Sequence, residues 1–116
     1  MRAAIAARDL AQLGPILEED AIELHLVAMS SQPPIFYWRP ATLRVLEAVR
    51  GLRDAGLEAW CTMDAGANVH VICSPASEPD VVAALRPLAG VHDIIRDGVG
   101  DGPARGKTSL FEEAGR

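Results

Sequence analysis

No apolar run in the chain approaches the roughly 20 residues that a membrane-spanning helix needs, so no membrane association is expected. Basic charge is also scarce. Eleven Lys and Arg stand against sixteen Asp and Glu, giving a net charge of −5. A nucleic-acid binder presents a basic face, so nucleic acid is not an expected partner. Lysine is nearly missing, with Lys107 alone beside the arginines, which speaks of codon composition more than of chemistry. Cysteine is reduced to Cys61 and Cys73. Two thiols make no disulfide framework, and no Cys/His cluster has metal-ligand spacing, so zinc is not expected. The start, Met1-Arg2-Ala3-Ala4-Ile5 with Arg8 and Asp9 soon after, lacks the unbroken apolar core of a secretory signal and predicts a cytoplasmic protein. What is present is a chain of 116 residues, 49% hydrophobic, enough for one domain with one core.

The spacing predicts a helix over residues 1–12, already running at Met1 with no Ser, Thr, Asp or Asn before it, as in a chain cut from something longer. Gly14-Pro15 is expected to break it. A second helix over 16–29 carries Leu17, Ala21, Leu24 and Ala28 on one face, with Glu18, Glu19, Asp20 and Glu23 mostly off it. Ser30 to Pro34 ends that helix, and Ile35 to Trp38 reads as a short strand. Pro40 suits a first helical position, and the helix over 41–55 turns Val45, Val49 and Leu52 inward. Arg44, Glu47, Arg50 and Asp54 line its other face, Arg50 and Asp54 at ion-pair spacing, and Gly56 stops it. Strands over 57–63 and 69–74 flank the turn 64–68. With the hairpin centred near Ala67, Cys61 faces Cys73 and Met63 faces Val71. Ser77 and Asp80 have the spacing of a capping box and open a helix with Val81, Val82 and Leu85 inside. Residues 91–96 complete the pattern as a last strand.

From 35 to 96 the order is strand, helix, strand, strand, helix, strand. This predicts an α+β fold: a ferredoxin-like βαββαβ antiparallel sheet with helices on one face, preceded by two N-terminal helices. The domain covers 1–96, and the Gly-rich residues 97–116 read as a mostly flexible tail. Within the tail, Gly102-Pro103-Ala104-Arg105-Gly106-Lys107-Thr108 imitates a phosphate-binding loop. It places three residues, not four, between the first Gly and Gly-Lys-Thr, so the tail reading is preferred.

Two further clusters bear on chemistry. Cys61 and Cys73 lie near His70, but in the predicted register the thiols share one face and His70 points to the other, which favours buried structural thiols. The turn Asp64-Ala65-Gly66-Ala67-Asn68 brings backbone within reach of an anionic ligand and sets a carboxylate at a strand end, where it can act as a base. Turn geometry alone explains the same residues. His25, among apolar neighbours, reads as a packed core residue.

The segment Ser30 to Trp38, then a helix, then Thr62-Met63-Asp64-Ala65-Gly66-Ala67-Asn68-Val69, resembles the C-terminal half of diphosphomevalonate decarboxylases of the GHMP kinase superfamily. In that family a Pro-Pro-aromatic segment follows a His-bearing helix, and a Thr-x-Asp-Ala-Gly-Pro-Asn turn joins two strands. The similarity runs over about residues 1–96. Ala67 stands where the family has Pro, which frees one backbone angle and removes no functional group.

The resemblance implies an activity. In the family, ATP phosphorylates the 3-hydroxyl of mevalonate 5-diphosphate, and loss of that phosphate with CO2 gives isopentenyl diphosphate. Asp64 then corresponds to the catalytic carboxylate, and Ala65, Gly66 and Asn68 to the wall beside the phosphates. ATP and Mg2+ are implied for the complete enzyme, with none bound by this chain alone. Its nucleotide loop and the residues that hold the substrate belong to an N-terminal domain that these 116 residues do not contain. Alternatives are a phosphomevalonate decarboxylase, a mevalonate 3-kinase, or a stand-alone ferredoxin-like module for ligand binding or oligomerisation, with a homodimer an open option. The presence of Asp64 favours decarboxylation, because the related 3-kinases lack that acid.

Overall fold

The computed structural model describes residues 1–104; the Gly-Lys-Thr part of the phosphate-loop imitation and most of the expected tail lie outside that range. Six elements follow in order. Helix α1 spans Arg2–Ala7, α2 Leu10–Met29 and α3 Pro40–Asp54; strands β1 and β2 span Ala59–Thr62 and His70–Cys73; α4 spans Glu78–Leu85. The class is α+β, as expected, and no helix among the described residues is long and apolar enough to cross a membrane.

The first break falls at Arg8, not at Gly14-Pro15. Arg8 adopts a left-handed backbone conformation with φ 53°. Asp9 then caps α2: it accepts from the Gln12 backbone N–H at 3.2 Å and from the Gln12 side chain at 2.8 Å. The first of these bonds satisfies a helix-end N–H that would otherwise lack an intrahelical partner. Pro15 falls within the second turn of α2, and the helix runs through it. Gly14 has a different task. A Cβ on it would overlap the Trp60 indole, so the glycine lets α2 lie directly on β1. The inward face of α2 is Gly14, Ala21 and His25, with Glu18 part-buried between them. Leu24, expected inward, is 45% exposed.

Helix α3 follows its sequence signals closely. Pro40 opens it, Val45 and Val49 are buried, and Leu52 packs against the core. It ends in a Schellman motif: Leu57 N–H donates to Leu52 O at 3.0 Å, Gly56 N–H donates to Arg53 O at 2.8 Å, and Gly56 has φ 93°. Among the described residues Arg50 and Asp54 form no ion pair; Arg44 reaches instead to the Ala89 carbonyl at 3.2 Å.

The sheet has two antiparallel strands, with Ala59 opposite Cys73 and Cys61 opposite Val71. The expected register was two residues off. A slip of two keeps every side chain on its face, so Cys61 and Met63 are still buried on the core side, but it changes each partner. The two outer segments expected as strands do not join the ladder. Ile35 N–H donates to Ala28 O at 3.0 Å, and the Tyr37 and Trp38 rings pack on His25, so this segment is committed to α2. Residues 91–96 cross α4 as a strap: Val91 and Ile94 pack on the core, and Arg96 pairs with Glu78. The expected capping box at Ser77 is also absent, because the Ser77 hydroxyl accepts from Ser74 at 2.9 Å. The core is formed by Val45, Val49, Ala59, Cys61, Val81 and Leu85, where α3 and α4 cover one face of the hairpin.

Among the described residues no third strand pairs with the outer edge of β1. Arg53 and Glu18 take its place. The guanidinium donates to both carboxylate oxygens at 2.7 and 2.9 Å and to Ala59 O at 3.0 Å, while Cys61 N–H donates to Glu18 at 2.9 Å. The same guanidinium stacks 4.4 Å from the Trp60 ring centroid. An unpaired edge carbonyl and N–H are thus satisfied by one charge-assisted pair.

Candidate functional site

The connection between β1 and β2 holds the turn singled out from the sequence. The hairpin sets Met63 into the core as the last inward residue, which leaves Asp64 at the point where the chain turns outward. The Asp64 side chain is 100% exposed. Its backbone carbonyl accepts from Gly66 N–H at 2.8 Å, a tight turn that projects the carboxylate away from the sheet. Ala65 and Asn68 are exposed and Gly66 is half-buried. A Cβ at Gly66 would meet nothing within 4 Å, so the backbone here is open to approach.

Two neighbours of the turn were not found by sequence reasoning. His70, the first residue of β2, brings Nε2 to 4.0 Å from the Asp64 carboxylate. The offset of six residues across a turn hides this pairing until the register is known. Thr42, in the first turn of α3, is 2% exposed. Its hydroxyl accepts from Arg39 N–H at 3.0 Å and donates to Ala67 O at 2.8 Å. A hydroxyl two residues after Pro40 was a legible capping signal, but its long-range partner was not.

His25 is packed as expected, 1% exposed, with Tyr37 edge-on at 5.8 Å and Trp38 tilted at 5.5 Å. It is on the α2 side of the molecule, not in the turn. Two surface hollows, one lined by Arg86 and residues 91–94 and one running along α2 beside Trp60, include no residue of the turn. Among the described residues no group of three or more His, Cys, Asp or Glu could hold a metal ion, and the turn supplies one carboxylate. That donor set does not make a magnesium site by itself, so no step is assigned to a metal here. What the turn can do is present a solvated carboxylate beside open backbone: orient a hydroxyl and accept its proton.

Of the two thiols expected to be buried, Cys61 is and Cys73 is only half-buried. Cys61 and Cys73 are both free, and they are not opposite one another. Burial, with the Glu18 carboxylate adding to it and Arg53 opposing it, pushes the Cys61 thiol up from 9.0 to about 12. Burial and then Glu78 also raise Cys73. In the native chain Cys73 is expected to react first with an aromatic disulfide reagent, and Cys61 only on unfolding; equal rates for both would contradict this arrangement. The unfolded thiol ionises first, so the contribution of Cys61 is complete below about pH 9 and is lost as pH rises toward about 12. Denaturant midpoints should therefore fall across that window and recover in Cys61→Ala relative to its own value at pH 8.

Comparison with known proteins gives a consistent result. Residues 1–102 match the family described as the mevalonate 5-diphosphate decarboxylase C-terminal domain. The diphosphomevalonate decarboxylase of Candida albicans is 27% identical over 127 residues, covering 95% of this chain and 35% of that protein. Among solved structures, the mevalonate diphosphate decarboxylase from Enterococcus faecalis, described in terms of a mevalonate diphosphate mediated ATP binding mechanism, superimposes with a TM-score of 0.71. It is 30% identical over 77% of this chain and 28% of that one. The mevalonate diphosphate decarboxylase from Staphylococcus aureus gives a TM-score of 0.71 at 29% identity, covering 76% and 27%. The chain thus spans about a third of the length of the curated relative.

Proposed function

The chain belongs to the mevalonate 5-diphosphate decarboxylase C-terminal domain family, and from that premise we propose that it supplies the catalytic carboxylate of an ATP-dependent carboxy-lyase of isoprenoid biosynthesis. The substrate in this reading is mevalonate 5-diphosphate and the product isopentenyl diphosphate. The observation that carries it is Asp64: a carboxylate in the Asp-Ala-Gly turn, fully exposed and open to a reactant, with His70 at 4.0 Å beside it.

A tertiary alcohol is a weak and crowded nucleophile. An ionised carboxylate within hydrogen-bond reach orients its oxygen and takes the proton as the phosphoryl group arrives. Asp64 would hold the 3-hydroxyl in this way. Ala65, Gly66 and Asn68 would form the wall near the phosphates, with the open backbone at Gly66 allowing close approach. A carboxylate in bulk solvent gains little from such an arrangement, since electrostatic effects strengthen when water is excluded. The turn therefore needs a second surface to close over it. We assign that surface, together with ATP and its magnesium, to an N-terminal ATP-binding domain acting with this one, and we expect the chain alone to be inactive. In this reading residues 1–96 are the folded domain, and the location is cytoplasmic.

The test starts from cell extract. The native polypeptide that carries this chain is captured with an antibody to the domain, sized, and assayed for CO2 released from carboxyl-labelled mevalonate 5-diphosphate with and without MgATP. A species several times heavier than 12.4 kDa that releases CO2 only with MgATP is the expected result. Release from the isolated 116-residue chain, or none from the native species, would overturn the reading.

A further inference from the structure

The geometry points to Thr42 as the positioning residue of the Asp64 turn. This rests on the reading of Asp64 as the catalytic carboxylate, although the physical latch can be tested without it. Between Met63 and Val69 the backbone leaves the two-stranded ladder, and its internal support is the short Gly66–Asp64 bond. The far limb of the turn is held from outside. Ala67 O accepts a 2.8 Å hydrogen bond from the Thr42 hydroxyl, across 25 residues of sequence.

The anchor is well placed to act as a fixed point. Thr42 is buried in the first turn of α3, behind Pro40, whose ring sets the helix start. Its oxygen is engaged on both sides, accepting from Arg39 N–H while donating to Ala67. The donor proton is therefore committed to one direction, and a β-branched side chain has few rotamers in a helix in which to stray. Val45 and Val49, one and two turns further along α3, are buried in the core. The latch thus ties the turn to a helix whose inward face is packed in the core. Without the bond, the Ala67 carbonyl turns freely toward water, and the direction in which Asp64 leaves the sheet is set by β1 alone. Because a carboxylate works on a hydroxyl only over about 2.6–3.2 Å, small rotations of the turn matter to the reaction without altering the fold.

The experiment pairs two substitutions that separate the hydroxyl from the volume. Thr42→Val keeps the shape and removes the donor; Thr42→Ser keeps the donor and removes a methyl group. In the 116-residue chain, amide resonances of Ala65 to Val69 should shift and their heteronuclear NOE values fall in Thr42→Val, and stay close to the parent in Thr42→Ser. Should Thr42→Val fail to fold, Thr42→Ser against Thr42→Ala gives the same comparison. Equal perturbation by the Ser and Val (or Ala) variants, or none by either, overturns the latch. In the native polypeptide, Thr42→Val should lower kcat for CO2 release about tenfold with KM for ATP unchanged, and Thr42→Ser should restore it. A parent polypeptide that releases no CO2, while the resonances move as described, sinks the decarboxylase reading and leaves the latch standing. A Thr42→Val enzyme of full kcat with a displaced turn overturns the positioning role.

Discussion

Asp64→Asn in the native polypeptide is expected to lower MgATP-dependent CO2 release about 10³-fold while changing the melting temperature by less than about 3 °C. The two halves of this outcome have separate causes. Asn keeps the size and the turn-forming preference of Asp, and the turn bond from Gly66 uses the backbone carbonyl of residue 64, not its side chain. The lost carboxylate is fully exposed, and the neighbour it leaves, His70 at 4.0 Å, is itself more than half exposed. Exposed pairs of this kind contribute little to stability. The amide, however, cannot accept a proton from the substrate hydroxyl. A variant that melts several degrees lower and turns over normally would show that Asp64 serves the turn and not the reaction. Circular dichroism on the variant chain and the labelled-CO2 assay on the polypeptide give the two readouts.

Glu18→Ala is expected to destabilise the fold by about 3 kcal/mol. It removes the acceptor of two guanidinium bonds and of the Cys61 N–H together. Arg53 would be left as a largely buried cation, its side chain 16% exposed, stacked on Trp60 with one remaining carbonyl partner. Glu18→Gln should cost less, because the amide oxygen still accepts from Cys61 or Arg53. The ordering Ala worse than Gln, read from urea midpoints, distinguishes a true edge-closing pair from a surface ion pair, for which both changes would lie within about 0.5 kcal/mol of the parent.

What the sequence made legible follows the range of the forces involved. Helix α3 was readable end to end because Pro40 and Gly56 act on their own neighbours and Val45 and Val49 repeat at helical spacing. The buried faces of the hairpin were readable because side chains alternate, and they survive a register error of two. The partners across it were not, since the turn at 64–68 admits more than one centre. Gly14 shows the opposite case. Its local meaning, next to Pro15, is a helix break, yet its tertiary meaning is the approach of Trp60, and the tertiary one prevails. Glu18 misled for the same reason. A carboxylate on a helix is read as solvent-facing until its partner, Arg53, is brought up from a distant helix. Residues 35–38 and 91–96 have strand-like composition, but their hydrogen bonds and rings are taken up by α2, α4 and the core. Of the site, the Asp64 turn was visible as a motif, while Thr42 and His70 depend on contacts that no spacing rule supplies.

The bond from Cys61 to Glu18 also bears on how the chain reaches its fold. The hairpin joins neighbours in sequence and can close early, but Glu18 meets β1 across 43 residues. Loop closure over that span costs on the order of 3 kcal/mol in chain entropy before the charged pair returns anything. The arrival of α2 at the β1 edge thus has a long sequence separation to overcome, and non-local contacts of this kind slow folding. Until it is complete, the edge that Arg53 and Glu18 will close stays available to the strand of another molecule, so the interval before α2 docks is when the chain is most exposed to association with its own kind.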